Sequence, residues 1–223
     1  MQIAERPSPN FGERRDGLRP SLVVIHYTAM ASAEAALARL CDPHAEVSAH
    51  WLICEDGAVL RLVAEEMRAW HAGLGEWGGA GDVNSRSIGI ELQNDGASPF
   101  PEPQMAALER LLAGVMDRWL IAPEGVIAHS DMAPDRKGDP GPRFDWRRLA
   151  MGGLSVWPDA EEPGDFASDA RAFGYPGAPG DLLLAAFRLR FRPWAQGPLD
   201  DTDRALMAGL ARRWPVDRGL RSA

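Results

Sequence analysis

Apolar residues cluster along the chain in short blocks with two different periods. Leu22–Val23–Val24–Ile25 runs into His26–Tyr27–Thr28 with no polar break, the pattern of a strand buried on both faces. Val47 to Cys54 alternates, Asp56–Gly57 supplies a two-residue turn, and Ala58 to Val63 returns, which predicts a hairpin. Ser87 to Leu92 and Val126 to His129 read as two further strands. Helical spacing appears elsewhere. Ser32 is placed to cap Ala33 to Leu40, and Glu102 to Trp119 repeats apolar residues at Met105, Leu108, Leu111, Leu112, Val115, Met116 and Trp119. Strands alternating with helices place the chain among α/β proteins.

The flanks differ from this middle. Met1 to Arg19 is polar, carries Pro7, Pro9 and Gly12, and is expected to run as an irregular arm over the surface. After Gly152–Gly153 the composition turns to Pro, Gly and Asp. Short helices are expected there at Phe166 to Phe173, Asp181 to Phe191 and Asp200 to Trp214, joined by a Pro/Gly turn near Pro193 to Pro198. The expected organisation is therefore a larger unit over residues 1–153 and a small three-helix unit over 154–223. No internal repeat of fixed period is present.

Composition narrows the class. No apolar run approaches the roughly 20 residues of a membrane span, and the first twenty residues have no apolar core, so the sequence reads as cytoplasmic. A net charge of −8 speaks against nucleic acid as a partner. Cys41 and Cys54 read as two separate buried thiols rather than a bridge.

The chemistry concentrates at strand ends. His26 closes one strand and His129 another, at the edge where open α/β sheets place ligands. Beyond His129 comes a proline-stiffened loop that carries Lys137 and Asp139. His26, His129 and Asp139 are the ligand types of a catalytic zinc site, three protein ligands and one open position. Zinc of that kind lowers the pKa of a bound water and polarises a carbonyl. Glu91, a carboxylate within a run of Ile, Gly and Leu, suits general-base work, and Lys137 suits an oxyanion. His50, on the hairpin, reads as a packed or hydrogen-bonded sheet residue. The Gly-rich loop from Leu74 to Asp82 is expected to border a groove, with Trp70 and Trp77 as platforms for a ligand.

The linked motifs His26-Tyr-Thr, VSAHWLI with its following Asp-Gly, AWHAG, N-x-x-SIGIEL and H-x-D-x-AP-x-RK-x-DPG-x-x-FDW resemble the zinc-dependent N-acetylmuramoyl-L-alanine amidases of type 2, nearest their anhydromuropeptide-recycling branch. The resemblance covers about Arg19 to Ala150. It implies a central mixed β-sheet flanked by helices, the fold shared with peptidoglycan-recognition proteins. It also implies hydrolysis of the amide between the lactyl group of N-acetylmuramic acid, or its 1,6-anhydro form, and L-alanine of the stem peptide. By motif position His26, His129 and Asp139 match the ligands of one zinc ion, Glu91 the catalytic glutamate and Lys137 the catalytic lysine. Tyr27, Trp70, His71, Asn84 and Arg86 are the expected substrate contacts, with muropeptide or peptidoglycan fragments as partner. One departure stands out: where such relatives often carry a basic residue two positions before the motif asparagine, this chain has Asp82, and Arg86 is the expected substitute. The C-terminal helices resemble peptidoglycan-binding three-helix domains, with a packing appendage as the alternative.

Two rival functions compete with this one. A non-catalytic peptidoglycan-recognition protein would share the fold, but such proteins typically break the metal set, which is present here. A thiol hydrolase would use Cys41 or Cys54, neither of which sits in an activating motif. Loss of hydrolysis with chelator and recovery with zinc separates the three.

Overall fold

The computed structural model describes residues 3–216. Met1 and Gln2, at the head of the expected arm, and residues 217–223, at the end of the expected helical unit, lie outside the described residues. The arm is not irregular. It forms β1 (Ile3–Glu5) and β2 (Phe11–Gly12), and β3 (Leu22–Tyr27) and α1 (Ala33–Leu40) follow. The hairpin is β4 (Trp51–Ile53) and β5 (Val59–Arg61), shorter than its alternation suggests, and leads to β6 (Arg68–Ala69). Next come α2 (Val83–Arg86), β7 (Ser87–Leu92), α3 (Glu102–Trp119), β8 (Val126–Ala128) and α4 (His129–Met132). The chain ends in α5 (Trp146–Met151), α6 (Phe166–Phe173), α7 (Gly180–Phe191) and α8 (Asp201–Arg213).

Six strands form one mixed sheet in the order β1-β5-β4-β7-β3-β8. β4, β7, β3 and β8 are mutually parallel; β5 runs antiparallel to β4, and β1 joins the far edge parallel to β5. The arm becomes sheet because β5 offers an open ladder, and Ile3↔Val59 to Glu5↔Arg61 fill it. Beyond it, β2 pairs with β6, and Arg14 drives its guanidinium onto the carbonyls of Asn84, Ser85, Ser87 and Glu65. That clasp ties the arm to α2 and to the start of β7.

Alternation sorts the two sheet faces. Val23, Ile25, Ile88, Ile90 and Leu92 point to one side and are covered by the apolar stripe of α3, including Leu108, Leu111 and Leu112. Leu22, Val24 and Ile127 point to the other side, into a second cluster that also holds Phe173, Phe187, Phe191, Met207 and Leu210 of the C-terminal helices. These helices thus pack on the sheet and share its core. Leu52 meets Ala36 and Leu40 of α1 on the same side. Ser32 caps α1 as expected, accepting from Ala35 N–H.

Trp77 corrects the sequence reading. It is 3% exposed, and its ring meets Phe173 and Tyr175 edge-on at 5.5 and 5.3 Å, so it packs in the seam between sheet and helices and does not border the opening over His26 and Glu91. Cys41 and Cys54 are free thiols, as expected, but half-buried rather than buried.

Candidate metal centre and cleft

On the face away from α3, β3, β7 and the start of α4 present His26, Glu91 and His129. His26 and Glu91 are directly paired across the ladder. The loop after α4 returns Asp139, held because Ser130 N–H donates to the Asp139 carbonyl at 3.0 Å. His26 Nδ1, His129 Nδ1 and Asp139 Oδ2 then lie 2.9–3.0 Å from one another.

Which ring nitrogens carry protons follows from their outer partners. The Val83 carbonyl can only accept, so Ser87 Oγ donates to it at 2.6 Å. The Ser87 oxygen then accepts from His71 Nε2 at 3.2 Å, which leaves His71 Nδ1 bare to accept from His26 Nε2 at 3.0 Å. His129 Nε2 donates to the Ala72 carbonyl at 3.0 Å. Both His26 and His129 therefore turn an unprotonated Nδ1 towards the carboxylate. Three acceptors converging on one point, with no proton among them, suit a cation and no hydrogen bond. The three residues fit a metal ion.

Electrostatics agree. Burial, then the neighbouring His129 ring, pulls His26 down to about 4, against the pull of Asp139. The ring is neutral at pH 7, with no proton to displace before it ligates. Burial opposes ionisation of Asp139, but the His129 and His26 rings beside it hold its carboxyl well below the usual carboxylate range. Burial, and then the neighbouring histidines, also holds His71 well below its ordinary value. Glu91 goes the other way: burial and the Asp139 charge push it up to about 8, with Lys137 opposing. Its Oε2 has no hydrogen-bond partner and is shut off from solvent although the residue as a whole is only half-buried. That is an environment in which a proton comes and goes near neutrality.

A cleft of about 480 Å³ opens over these groups and is also lined by Tyr27, Trp70, His71 and Lys137. The sequence reading brought those residues to one place. Asn84 lines a smaller adjoining pocket together with Trp70, His71, His129 and Lys137, its Oδ1 accepting from the N–H groups of His71 and Ala72. Arg86 is a correction: its Nη1 donates to the carbonyls of Trp77 and Ala80, and it does not line the cleft. It ends the single turn α2, so its side chain leaves on the seam side. Asp82 is tied to Arg68 at 3.0 Å. His50 accepts from Gly89 N–H and faces the Met67 carbonyl, a buried sheet residue as expected. Cleft residues that the sequence did not reveal include Arg39 of α1 and Arg136 beside Lys137. Gly89 also went unread: a Cβ there would lie 2.4–2.6 Å from His71 ring atoms, so only glycine lets that ring lie across β7. The spacing "G" between two isoleucines was the available signal.

Comparison with known proteins agrees with the geometry. The family profile for N-acetylmuramoyl-L-alanine amidase matches residues 16–142, and the chain belongs to this family. It is 35% identical to N-acetylmuramoyl-L-alanine amidase AmiD of Escherichia coli, over 89% of this chain and 85% of that protein. It is also 35% identical to 1,6-anhydro-N-acetylmuramyl-L-alanine amidase AmpD of E. coli, over 65% of this chain and 88% of that one. Among solved structures, E. coli AmiD in complex with anhydro-N-acetylmuramic acid-L-Ala-D-γ-Glu-L-Lys superposes with a TM-score of 0.81 at 33% identity, covering 93% of this chain and 99% of the other. AmpDh3 of Pseudomonas aeruginosa in complex with anhydromuramic pentapeptide gives 0.79 at 30% identity, covering 93% and 95%. Among the described residues, no helix is long and apolar enough to cross a membrane.

Proposed function

We propose that the chain is a zinc amidase that cuts the bond between N-acetylmuramic acid, chiefly its 1,6-anhydro form, and L-alanine of the stem peptide. The observation that carries this reading is the convergence of two bare Nδ1 atoms and a carboxylate at the floor of a cleft, beside a carboxyl whose proton is poised near neutrality. His26, His129 and Asp139 would hold one zinc ion. Bound there, zinc supplies Lewis acidity towards the amide carbonyl and acidifies a water. Glu91 takes the proton from the attacking water and returns it to the leaving amine of L-alanine. Lys137 directs its ammonium at the oxyanion formed on the lactyl carbonyl. Tyr27 and Trp70 border the sugar and peptide, and His71 holds His26 in its tautomer, a role in place of direct substrate contact.

The anhydro preference is supported by AmpD, named for the 1,6-anhydro form, and by the AmiD and AmpDh3 structures, each in complex with an anhydromuramic peptide. Muropeptide recycling, at a cytoplasmic site, is part of the same reading, and fractionation of the native protein tests the compartment. The cleavage itself is tested by mass spectrometry of products from anhydro- and ordinary muropeptides, with and without chelator. Free anhydromuramic acid and L-Ala-peptide, lost with chelator and restored by zinc, is the expected result. Hydrolysis that survives full chelation would overturn the assignment.

A further inference from the structure

The C-terminal helices reach into the centre at one place. Arg190 of α7 has no exposed side-chain surface, and neither has its partner Asp131 in α4. One guanidinium nitrogen, Nη1, pairs with Asp131 Oδ2, and the other, Nη2, donates to the Val126 carbonyl at 2.9 Å and to Ser155 Oγ at 3.1 Å. The same group lies 4.4 Å from the ring centroid of Trp146, which follows the Asp139 loop. Asp131 Oδ2 also accepts from Ala128 N–H at 2.8 Å, and Oδ1 accepts from Tyr175 O–H at 2.7 Å, a second group supplied by the C-terminal part of the chain.

The clamped points bracket a metal ligand. Val126 lies three residues before His129 and Asp131 two after it, so a single side chain fixes both ends of the segment that aims His129. That segment changes from strand to helix at His129 itself, where no regular ladder would hold it. An ion pair shut away from water contributes little net stability once desolvation is counted. What it supplies here is geometry. α7 holds a contrasting pair: Arg188 binds Asp203 of α8 and the carbonyls of Gly197 and Pro198, all within the helical part.

We propose that Arg190 and Tyr175 are positioning residues for the metal ligand His129, acting through Asp131, so that the helical extension is part of the construction of the centre and not only a neighbour of it. The proposal rests on the zinc-amidase reading above, and the experiment keeps the two apart. Purified wild type, Arg190→Met, Tyr175→Phe and Arg188→Met are compared at a temperature where circular dichroism shows all of them folded. Zinc affinity is measured by competition with a fluorescent chelator, and the cobalt(II)-loaded protein by its visible absorption bands. Loss of a partner that orients a ligand typically weakens metal binding roughly 10–100-fold. Arg190→Met should fall in that range with altered cobalt bands, and Tyr175→Phe should move the same way by less. Arg188→Met should leave both readouts at wild-type values. If Arg190→Met does not fold, Tyr175→Phe and Arg190→Lys decide. Wild-type affinity and bands in Tyr175→Phe and the Arg190 variant would overturn the proposal, as would an equal loss in Arg188→Met. A wild type that takes up no zinc would bring down the amidase reading together with this one.

Discussion

The face of the sheet that carries α3 and the face that carries the cleft are drawn from alternate residues of the same strands. In β3 the first takes Val23 and Ile25 and the second takes Leu22, Val24 and His26. In β7 the first takes Ile88, Ile90 and Leu92, and the second takes Ser87, Gly89 and Glu91. The α3 face is largely apolar and is closed chiefly by α3, with Phe144, Trp146 and Leu149 alongside. The cleft face is roofed by α1 at one side and by the C-terminal helices at the other, and its middle is left to histidines and a carboxylate. A period of two lets one strand serve a core and a reaction at once. Stability and chemistry should then separate under mutation.

The largest expected effect is on the cleft face. Glu91→Ala should lower kcat by at least roughly 10²–10⁴-fold while zinc content, read by atomic emission, stays at one per chain. Turnover near wild type would make Glu91 a buried structural carboxylate. Lys137→Ala should lower kcat by about 10²–10³ with the fold intact, measured on the same anhydromuropeptide. The reverse pattern belongs to the α3 face. Leu108 is fully buried there, so Leu108→Ala should cost about 2–5 kcal/mol in denaturant unfolding and leave kcat near wild type at a temperature where it is folded.

A subtler contrast appears in pH. The Glu91 carboxyl is raised to about 8 in the folded protein, so the fold favours its protonated form. The stability it contributes is present below its unfolded value near 4.5 and is lost as pH climbs through about 8. In metal-free protein, Glu91→Gln should therefore be no more stable than wild type at pH 4.5 and progressively more stable towards pH 8. Denaturant curves that stay parallel across that range would refute the shift. The smallest effect is expected at Arg86. Because its guanidinium is spent on backbone carbonyls away from the cleft, Arg86→Lys should leave KM for anhydromuropeptide within about twofold of wild type.

Much of this was legible in the sequence, and the failures have physical reasons. Long periodic elements such as α3 announce themselves, because a packed helix must repeat its apolar residues. The convergence of His26, His129 and Asp139 was readable because each closes an apolar run or sits in a stiff loop. β1 and β2, three and two residues long, carry no period, and they exist only because β5 and β6 offer partners. Trp77 looked like a cleft platform because its neighbours are glycines; its true contacts, Phe173 and Tyr175, lie about a hundred residues on. Arg86 was misplaced because it belongs to a helical turn and not to the strand that follows. The Ser87–His71–His26 chain was invisible, since three ordinary polar residues acquire direction only when an acceptor-only carbonyl fixes the first of them.

Gly89 adds a lesson about where a site is vulnerable. A single methyl group there would push against the His71 ring, and through that ring against the tautomer that His26 presents. Random mutagenesis scored for lost activity should thus return hits at a codon whose residue has no side chain and makes no contact with substrate. Such hits would map the inheritance of the site more faithfully than its charged residues do, because an exchangeable acid or base can be replaced by another, whereas an empty space can be preserved only by leaving it empty.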